Sequence, residues 1–218
     1  MKTDSLIERL SDDLTPVQKP LKLRIWLPIW VLISTCYVIG VTLYLGPMRS
    51  GFSDQLLSAP RFSLEIILGS MAVVAAATTC LAQSVPGNHR TWMVWFYRVT
   101  VAAWLVSFAS AFISAPIETS MHGKRDGCLW EAIVMSVPPM LFLLYLAYRR
   151  YPLAHNSTAL SAALAAGIIP AVTMQLACMY DPMHGLLFHI LPVAYLGVAC
   201  VVVSILWRNI RSASTASL

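Results

Sequence analysis

Six apolar runs, each long enough to cross a bilayer as a helix, constrain the fold of this chain more than any other feature. A helix rises 1.5 Å per residue, so about 20 residues cross a hydrocarbon core about 30 Å thick. Of the 218 residues, 58% are apolar and only 11% are charged, against roughly a quarter charged in soluble domains. The sequence therefore predicts an all-α polytopic membrane protein, a bundle of six transmembrane helices. The predicted spans are Ile25–Gly46, Phe62–Gln83, Trp92–Ile113, Leu129–Tyr148, Ala159–Met179 and Gly185–Trp207.

These runs divide the chain into a short cytoplasmic N-terminal segment (1–24), a transmembrane domain (25–207) and a cytoplasmic tail (208–218). The first run is longer than the core of a signal peptide and is not followed by a small-x-small cleavage site, so we expect it to remain as an anchor. The fifth run is the weakest, because Gly167 and Pro170 lie near its middle. A proline there is typical of a kinked span rather than a broken one.

The basic residues near the span ends predict the orientation, because cytoplasmic loops carry an excess of Lys and Arg. Ten of these basic residues lie on the side of the two termini and four lie on the other side. Arg98 is not counted, because it lies inside a predicted span. Both termini are therefore predicted to be cytoplasmic, and this bias explains the net charge of +5 without direct binding to nucleic acid. The ten are Lys2, Arg9, Lys19, Lys22, Arg24, Arg90, Arg149, Arg150, Arg208 and Arg211, and the four are Arg49, Arg61, Lys124 and Arg125.

Two cysteines fall at the same face of this topology, since Cys128 begins the fourth span and Cys178 ends the fifth. The connection between these spans is short, so antiparallel packing would bring the thiols close together. On an outer, oxidising face they could form a disulfide, bind a metal ion or remain two unlinked thiols. Cys36, Cys80 and Cys200 lie within spans and are expected to pack as small apolar residues.

Asp181, His184 and His189 form a compact polar cluster just after Cys178. A zinc site could combine Cys128, Cys178 and one histidine, because thiolate and imidazole suit that metal. Residues five apart on an α-helix point more than about 100° away from each other, so the two histidines are expected to make a poor preformed chelate. Histidines that bond to loop carbonyls or water at the interface are the alternative.

Charged residues inside predicted spans are costly, which makes them functional candidates. Glu65 and Glu131 each lie about one turn inside a span, and Glu131 shares a helix face with Cys128. Simple solvation at the interface is the alternative for both glutamates. Arg98 is expected to extend back toward the lipid headgroups.

The first twenty-odd residues predict a short amphipathic helix on the cytoplasmic side. Ser5 and Glu8 resemble a capping box, and Pro16 and Pro20 would end the helix. Such a helix is too short to be stable alone, so its apolar stripe is expected to bind a protein partner or the bilayer surface. The stripe consists of Leu6, Ile7, Leu10 and Leu14.

Common membrane-enzyme motifs do not occur in the sequence. It contains no Cys-x-x-Cys of thiol–disulfide exchange and no His-Glu-x-x-His of zinc proteases, and no pair of helix-interior histidines is placed to bind haem. The sequence therefore predicts a protein that is not an enzyme and requires no cofactor.

Several short motifs carry a resemblance to a known family. They are Met1-Lys2-Thr3-Asp4-x-Leu6-Ile7-x-x-Leu10, Ser84-Val85-Pro86-Gly87, Cys128-Leu129 before a Leu-rich span with Pro138, Arg149-Arg150, and the stretch with Cys178, Asp181, His184, His189 and Pro192. In this order they resemble the NrsF family, six-span inner-membrane anti-sigma factors that regulate an extracytoplasmic-function (ECF) sigma factor. The resemblance implies that Cys128 and Cys178 match two periplasmic cysteines implicated in perceiving heavy metals or oxidants.

The combined hypothesis is an anti-sigma factor in a bacterial inner membrane. Its N-terminal stripe would bind the ECF sigma factor, and a transition-metal ion or an oxidant at Cys128 and Cys178 would trigger release. The alternative is a small transporter or permease-like protein that uses Glu65, Glu131 and His189 along a polar path. A thiol oxidoreductase is a third interpretation, which the missing Cys-x-x-Cys disfavours.

Overall fold

The computed structural model describes residues 11, 22–85, 87–88, 90–113, 125, 127–150 and 152–216. It confirms the all-α fold, with six helices long and apolar enough to cross a membrane. The helices are α1 (Leu23–Leu45), α2 (Phe52–Ser58), α3 (Pro60–Gln83), α4 (Thr91–Ala109), α5 (Cys128–Tyr148), α6 (His155–Ala177), α7 (Pro182–Gly185) and α8 (Leu191–Ala216). The predicted N-terminal amphipathic helix, with Leu6, Ile7, Leu10 and Leu14, lies outside the described residues.

Two local features of the helices were not predicted from the sequence. The short helix α2 lies between the first two spans and follows Gly51, whose φ of 77° is a left-handed conformation that favours glycine. Pro60 then occupies the first turn of α3, where its missing N–H costs nothing. The second feature is the π-helical register of Leu186–Ile190, which lies between α7 and α8 within the predicted sixth span.

The fifth predicted span, α6, lies at the centre of the bundle and contacts α1, α3, α5 and α8. In its most apolar 18-residue stretch 83% of the residues are buried, against 22% in α1. Small residues dominate α6 and let neighbouring helices approach closely. A Cβ atom on Gly167 would lie 3.1 Å from Cγ1 of Val193 in α8. The small residues of this run thus belong to a helix that faces protein instead of lipid.

The outer helices expose apolar side chains, as expected of surfaces that face lipid. Leu32 of α1, Val106 of α4 and Val198 of α8 are each more than half exposed. Between α1 and α5, the indole Nε1 of Trp30 donates a hydrogen bond to the carbonyl oxygen of Pro139 at 2.9 Å. Arg98 is exposed, and its guanidinium lies 5.7 Å from the ring centre of Trp95.

Polar side chains gather at the two ends of the bundle. At one end α1, α4 and α6 finish and α3, α5 and α7 begin; we call it the thiol end, because Cys128 and Cys178 lie there. At the opposite end, Nη1 of Arg150 donates to the carbonyl of Leu81 at 3.1 Å. The hydroxyl of Ser157 there donates to the side-chain oxygen of Gln83. The candidate functional residues lie at the thiol end.

Candidate thiol and imidazole site

The two cysteines meet at the thiol end. Cys128 is the first residue of α5, and Cys178 directly follows the last residue of α6. Their Sγ atoms lie 2.9 Å apart, in hydrogen-bond contact, and both side chains are buried. The structure forms no bond between the two sulfur atoms. The proximity predicted from antiparallel packing is therefore confirmed.

Two imidazoles lie beside the thiols. Nε2 of His184 is 3.3 Å from Sγ of Cys178, and the rings of His184 and His189 are 5.2 Å apart. The side chain of His189 is 1% exposed, and neither ring nitrogen has a hydrogen-bond partner among the described residues. Leaving a buried polar atom unsatisfied costs about 1–3 kcal/mol, so such atoms are rare. The buried imidazole of His189 is therefore available to a ligand.

The π-helical segment explains how histidines five positions apart reach the same side. Hydrogen bonds in a π-helix run between residues five apart, so such residues lie nearly above one another. His189 lies inside this segment, and His184 just before it. The expectation that the two histidines point away from each other assumed a regular α-helix, and the proximity of their rings contradicts it. Close packing accompanies the change of register, since a Cβ on Gly185 would lie 2.6 Å from Cζ of Phe108.

The four side chains together form a set of metal-ligand atoms. The donor atoms of Cys128, Cys178, His184 and His189 all lie within 4.8 Å of one another. Tetrahedral zinc, with Zn–S about 2.3 Å and Zn–N about 2.0–2.1 Å, separates its ligand atoms by roughly 3–4 Å. Two thiolates with two imidazoles suit zinc and chemically similar soft ions. The residues present therefore fit a metal ion of this class after small adjustments.

A comparison with protein families gives the regulatory context of this site. The family model NrsF, described as negative regulator of sigma F, matches residues 10–208. The chain belongs to the NrsF family. Its membership implies a negative regulator that acts on a sigma factor, in line with the predicted absence of catalysis. No curated protein and no solved structure matches this chain.

In this NrsF protein the two thiols are not equivalent. The hydrogen-bond contact with Cys128 is the largest influence on Cys178 and lowers its pKa. Burial acts in the opposite direction, and the neighbouring His189 imidazole lowers the pKa further. The net effect lowers the pKa of Cys178 below its ordinary value. A lower pKa favours the thiolate, the form of cysteine that binds metals and attacks oxidants.

Arg125 contacts the site and was not singled out by the sequence. Its backbone carbonyl accepts a hydrogen bond from the Cys128 thiol, at 3.3 Å. Nη1 of its guanidinium lies 3.0 Å from the Glu131 carboxylate. Nη2 donates to three carbonyl oxygens at the end of α1, those of Thr42, Gly46 and Pro47. The sequence offered no signal for these contacts, because α1 lies about eighty residues earlier in the chain.

Two of the predicted accessory residues, Asp181 and Glu131, do not belong to the four-residue group of metal-ligand atoms and form structural contacts instead. The Asp181 carboxylate accepts a hydrogen bond from the backbone N–H of His184 at 2.8 Å, which caps α7. This cap fixes the start of the segment that carries both histidines. Glu131 forms its ion pair with Arg125, so it touches the site through that residue.

Glu65 belongs to a separate buried cluster at the thiol end. Its carboxylate accepts hydrogen bonds from the Tyr180 hydroxyl at 3.1 Å and from Nε of Arg61 at 3.3 Å. Burial raises the pKa of Tyr180, and the Glu65 charge raises it further, so the hydroxyl remains a donor. The cluster thereby ties the loop after Cys178 to α3.

The remaining cysteines lie apart from the site. Cys36 is exposed on α1, Cys200 is half-buried on α8, and Cys80 is buried in α3. The Cys80 thiol donates to the carbonyl oxygen of Thr158 at 3.6 Å. None of the three belongs to the group of metal-ligand atoms found among the described residues.

Proposed function

We propose that this NrsF protein is a membrane-bound anti-sigma factor that releases an ECF sigma factor when a thiophilic metal ion binds Cys128, Cys178, His184 and His189. The observation that carries the proposal is the convergence of the four donor atoms within 4.8 Å, with His189 buried and unpartnered. Two thiolates favour zinc, cadmium and similar ions over magnesium or calcium, which prefer oxygen ligands.

Oxidation of the same two thiols is a second candidate signal, supported by the 2.9 Å separation of their sulfur atoms. The Cys178 thiolate would attack a peroxide, and the Cys128 thiol would then close the disulfide. In sum, two thiols and one hydrogen peroxide would give one disulfide and two water molecules. A disulfide removes both thiolate ligands, so oxidation and metal binding would exclude each other at this site.

The sigma factor would be held through the N-terminal segment on the cytoplasmic side. The family membership supports a sigma factor as the partner, and the apolar stripe of the segment supplies a surface for it. The excess of basic residues beside the two termini supports a cytoplasmic location for both. The thiol end would then face the periplasm, where it would meet metal ions and oxidants before they enter the cell.

A transcriptional reporter under the cognate sigma factor tests the proposal. Zinc or cadmium added to cells should raise reporter output by roughly 5–150-fold, the range of typical allosteric couplings. Cells that carry both Cys128→Ser and Cys178→Ser should keep basal repression and lose the response to metal. A double variant that still responds would contradict the sensor assignment.

The sigma-binding segment has its own test in the same assay. Replacing Leu6, Leu10 and Leu14 with alanine should raise reporter output without added metal, because the apolar stripe would no longer hold the sigma factor. Zinc binding by the purified variant should remain unchanged. Full repression by this variant would contradict the proposed role of the N-terminal segment.

A further inference from the structure

The end of the first span is connected to the thiols through one residue. The Cys128 thiol donates to the backbone carbonyl of Arg125, and the Arg125 guanidinium reaches the carbonyl oxygens that end α1. The closest of these contacts joins Nη2 to the Gly46 carbonyl at 2.7 Å. A short chain of covalent and hydrogen bonds therefore runs from the Cys128 sulfur to the end of α1.

The guanidinium is well placed to hold the end of a helix. The last carbonyls of a helix lack partners within the helix and carry partial negative charge, which a cation stabilises. Arg125 supplies that cation to α1 and is itself oriented by the ion pair with Glu131 of α5. Both members of the ion pair are mostly buried, with exposed side-chain fractions of 10% and 18%, which limits screening by water. Arg125 thus joins α1 to the start of α5.

We propose that Arg125 is the positioning residue that transmits metal binding at the thiols to the first span. The inference rests on the proposed function, because it describes how that site would act on the sigma-binding segment. The N-terminal segment is continuous with α1, so a change in how α1 is held reaches the cytoplasmic side through a single helix. The repressing state is the one in which Arg125 holds α1.

The coupling follows from the fate of the thiol proton. When a divalent ion binds Cys128, a metal–sulfur bond forms and the S–H proton leaves to solvent. The sulfur can then no longer donate to the Arg125 carbonyl, and two acceptor atoms face each other across 3.3 Å. Loss of this hydrogen bond displaces residue 125 and weakens its contacts to α1.

Hydrogen exchange of the full-length protein in lipid nanodiscs tests this relay. Zinc should increase the exchange of backbone amides in residues 42–48 by about tenfold, the effect of losing one charged hydrogen bond. In Arg125→Ala these amides should exchange rapidly without zinc and show no further change on adding it. Arg125→Lys keeps the charge and should restore part of the protection. Zinc affinity, measured by competition with a chromophoric chelator, should stay within about threefold of the unsubstituted protein in both variants.

The reporter assay separates failure of the relay from failure of the proposed function. Arg125→Ala should give high reporter output with and without metal, and Arg125→Lys should restore part of the repression. The control is Arg61→Ala, which removes an ion-paired arginine from α3 and should keep the metal response. Normal repression and induction in Arg125→Ala would overturn the relay and leave the sensor intact. The relay would also be overturned if zinc bound the unsubstituted protein without changing exchange in residues 42–48. If the unsubstituted protein bound no zinc, the sensor itself would be wrong.

Discussion

The two ends of the bundle each bury a cysteine beside polar groups, yet among the described residues only the thiol end holds a group of metal-ligand atoms. At the opposite end, the Cys80 thiol donates to the Thr158 carbonyl. At the thiol end, Cys128 meets a second thiol and lies in a group that contains two imidazoles. Burial is similar in the two places, so burial alone does not make a cysteine a sensor. The difference lies in how many further donor atoms converge on the sulfur.

The arginines at the two ends have different contacts. Arg150 donates to the carbonyl oxygen of Leu81 in α3. Arg125 contacts the Cys128 thiol through its backbone carbonyl, pairs with the Glu131 carboxylate and reaches three carbonyls at the end of α1. Under the proposed relay, loss of one of these contacts would change how α1 and α5 are held together.

The largest effect that tests this comparison is loss of the two thiolates. Cys128→Ser with Cys178→Ser should weaken zinc binding by at least about a thousandfold, because four ligands share an apparent binding free energy of about 10–16 kcal/mol. The matched control, Cys80→Ser, alters a buried thiol at the opposite end and should leave zinc affinity unchanged. Competition with a chromophoric chelator in detergent measures both. Equal losses of zinc affinity in the double cysteine variant and in Cys80→Ser would show that the two ends do not differ in metal chemistry.

A smaller effect is expected from the buried imidazole. His189→Ala should lower zinc affinity by roughly 10–100-fold, because a coordinating nitrogen is lost while both thiolates remain. His155→Ala is the matched control, since His155 lies at the start of α6 at the opposite end and bonds only weakly, to the Leu153 carbonyl at 3.3 Å. The same competition assay applies. Unchanged affinity in His189→Ala would remove His189 from the ligand set and leave Cys128, Cys178 and His184.

Sequence alone predicted the six spans to within a few residues, because apolar length is a property of each run by itself. It also predicted that Cys128 and Cys178 meet, since a short connection between adjacent spans leaves few arrangements. The shared side of His184 and His189 was not predictable, because it depends on a π-helical register that accompanies packing of Gly185 against α4. The cap at Asp181 has a recognisable signal, an acidic residue before proline at the first helical position.

Arg125 marks the other limit of prediction from sequence. In the sequence it is one of four basic residues outside the cytoplasmic count, and it lies in a polar connection. Its importance arises from backbone carbonyls of a helix about eighty residues earlier, and a carbonyl carries no sequence signature. Glu131 was identified as a candidate from its depth in the span, but its partner was not. Long-range contacts to backbone atoms require the fold before they can be found.

X-ray absorption spectroscopy of the zinc-loaded protein in nanodiscs tests the central claim most directly. The account predicts a four-coordinate zinc with two sulfur ligands at about 2.3 Å and two imidazole nitrogens at about 2.0–2.1 Å. A zinc shell made only of nitrogen and oxygen, with no sulfur at about 2.3 Å, would contradict the assignment of Cys128 and Cys178 as metal ligands.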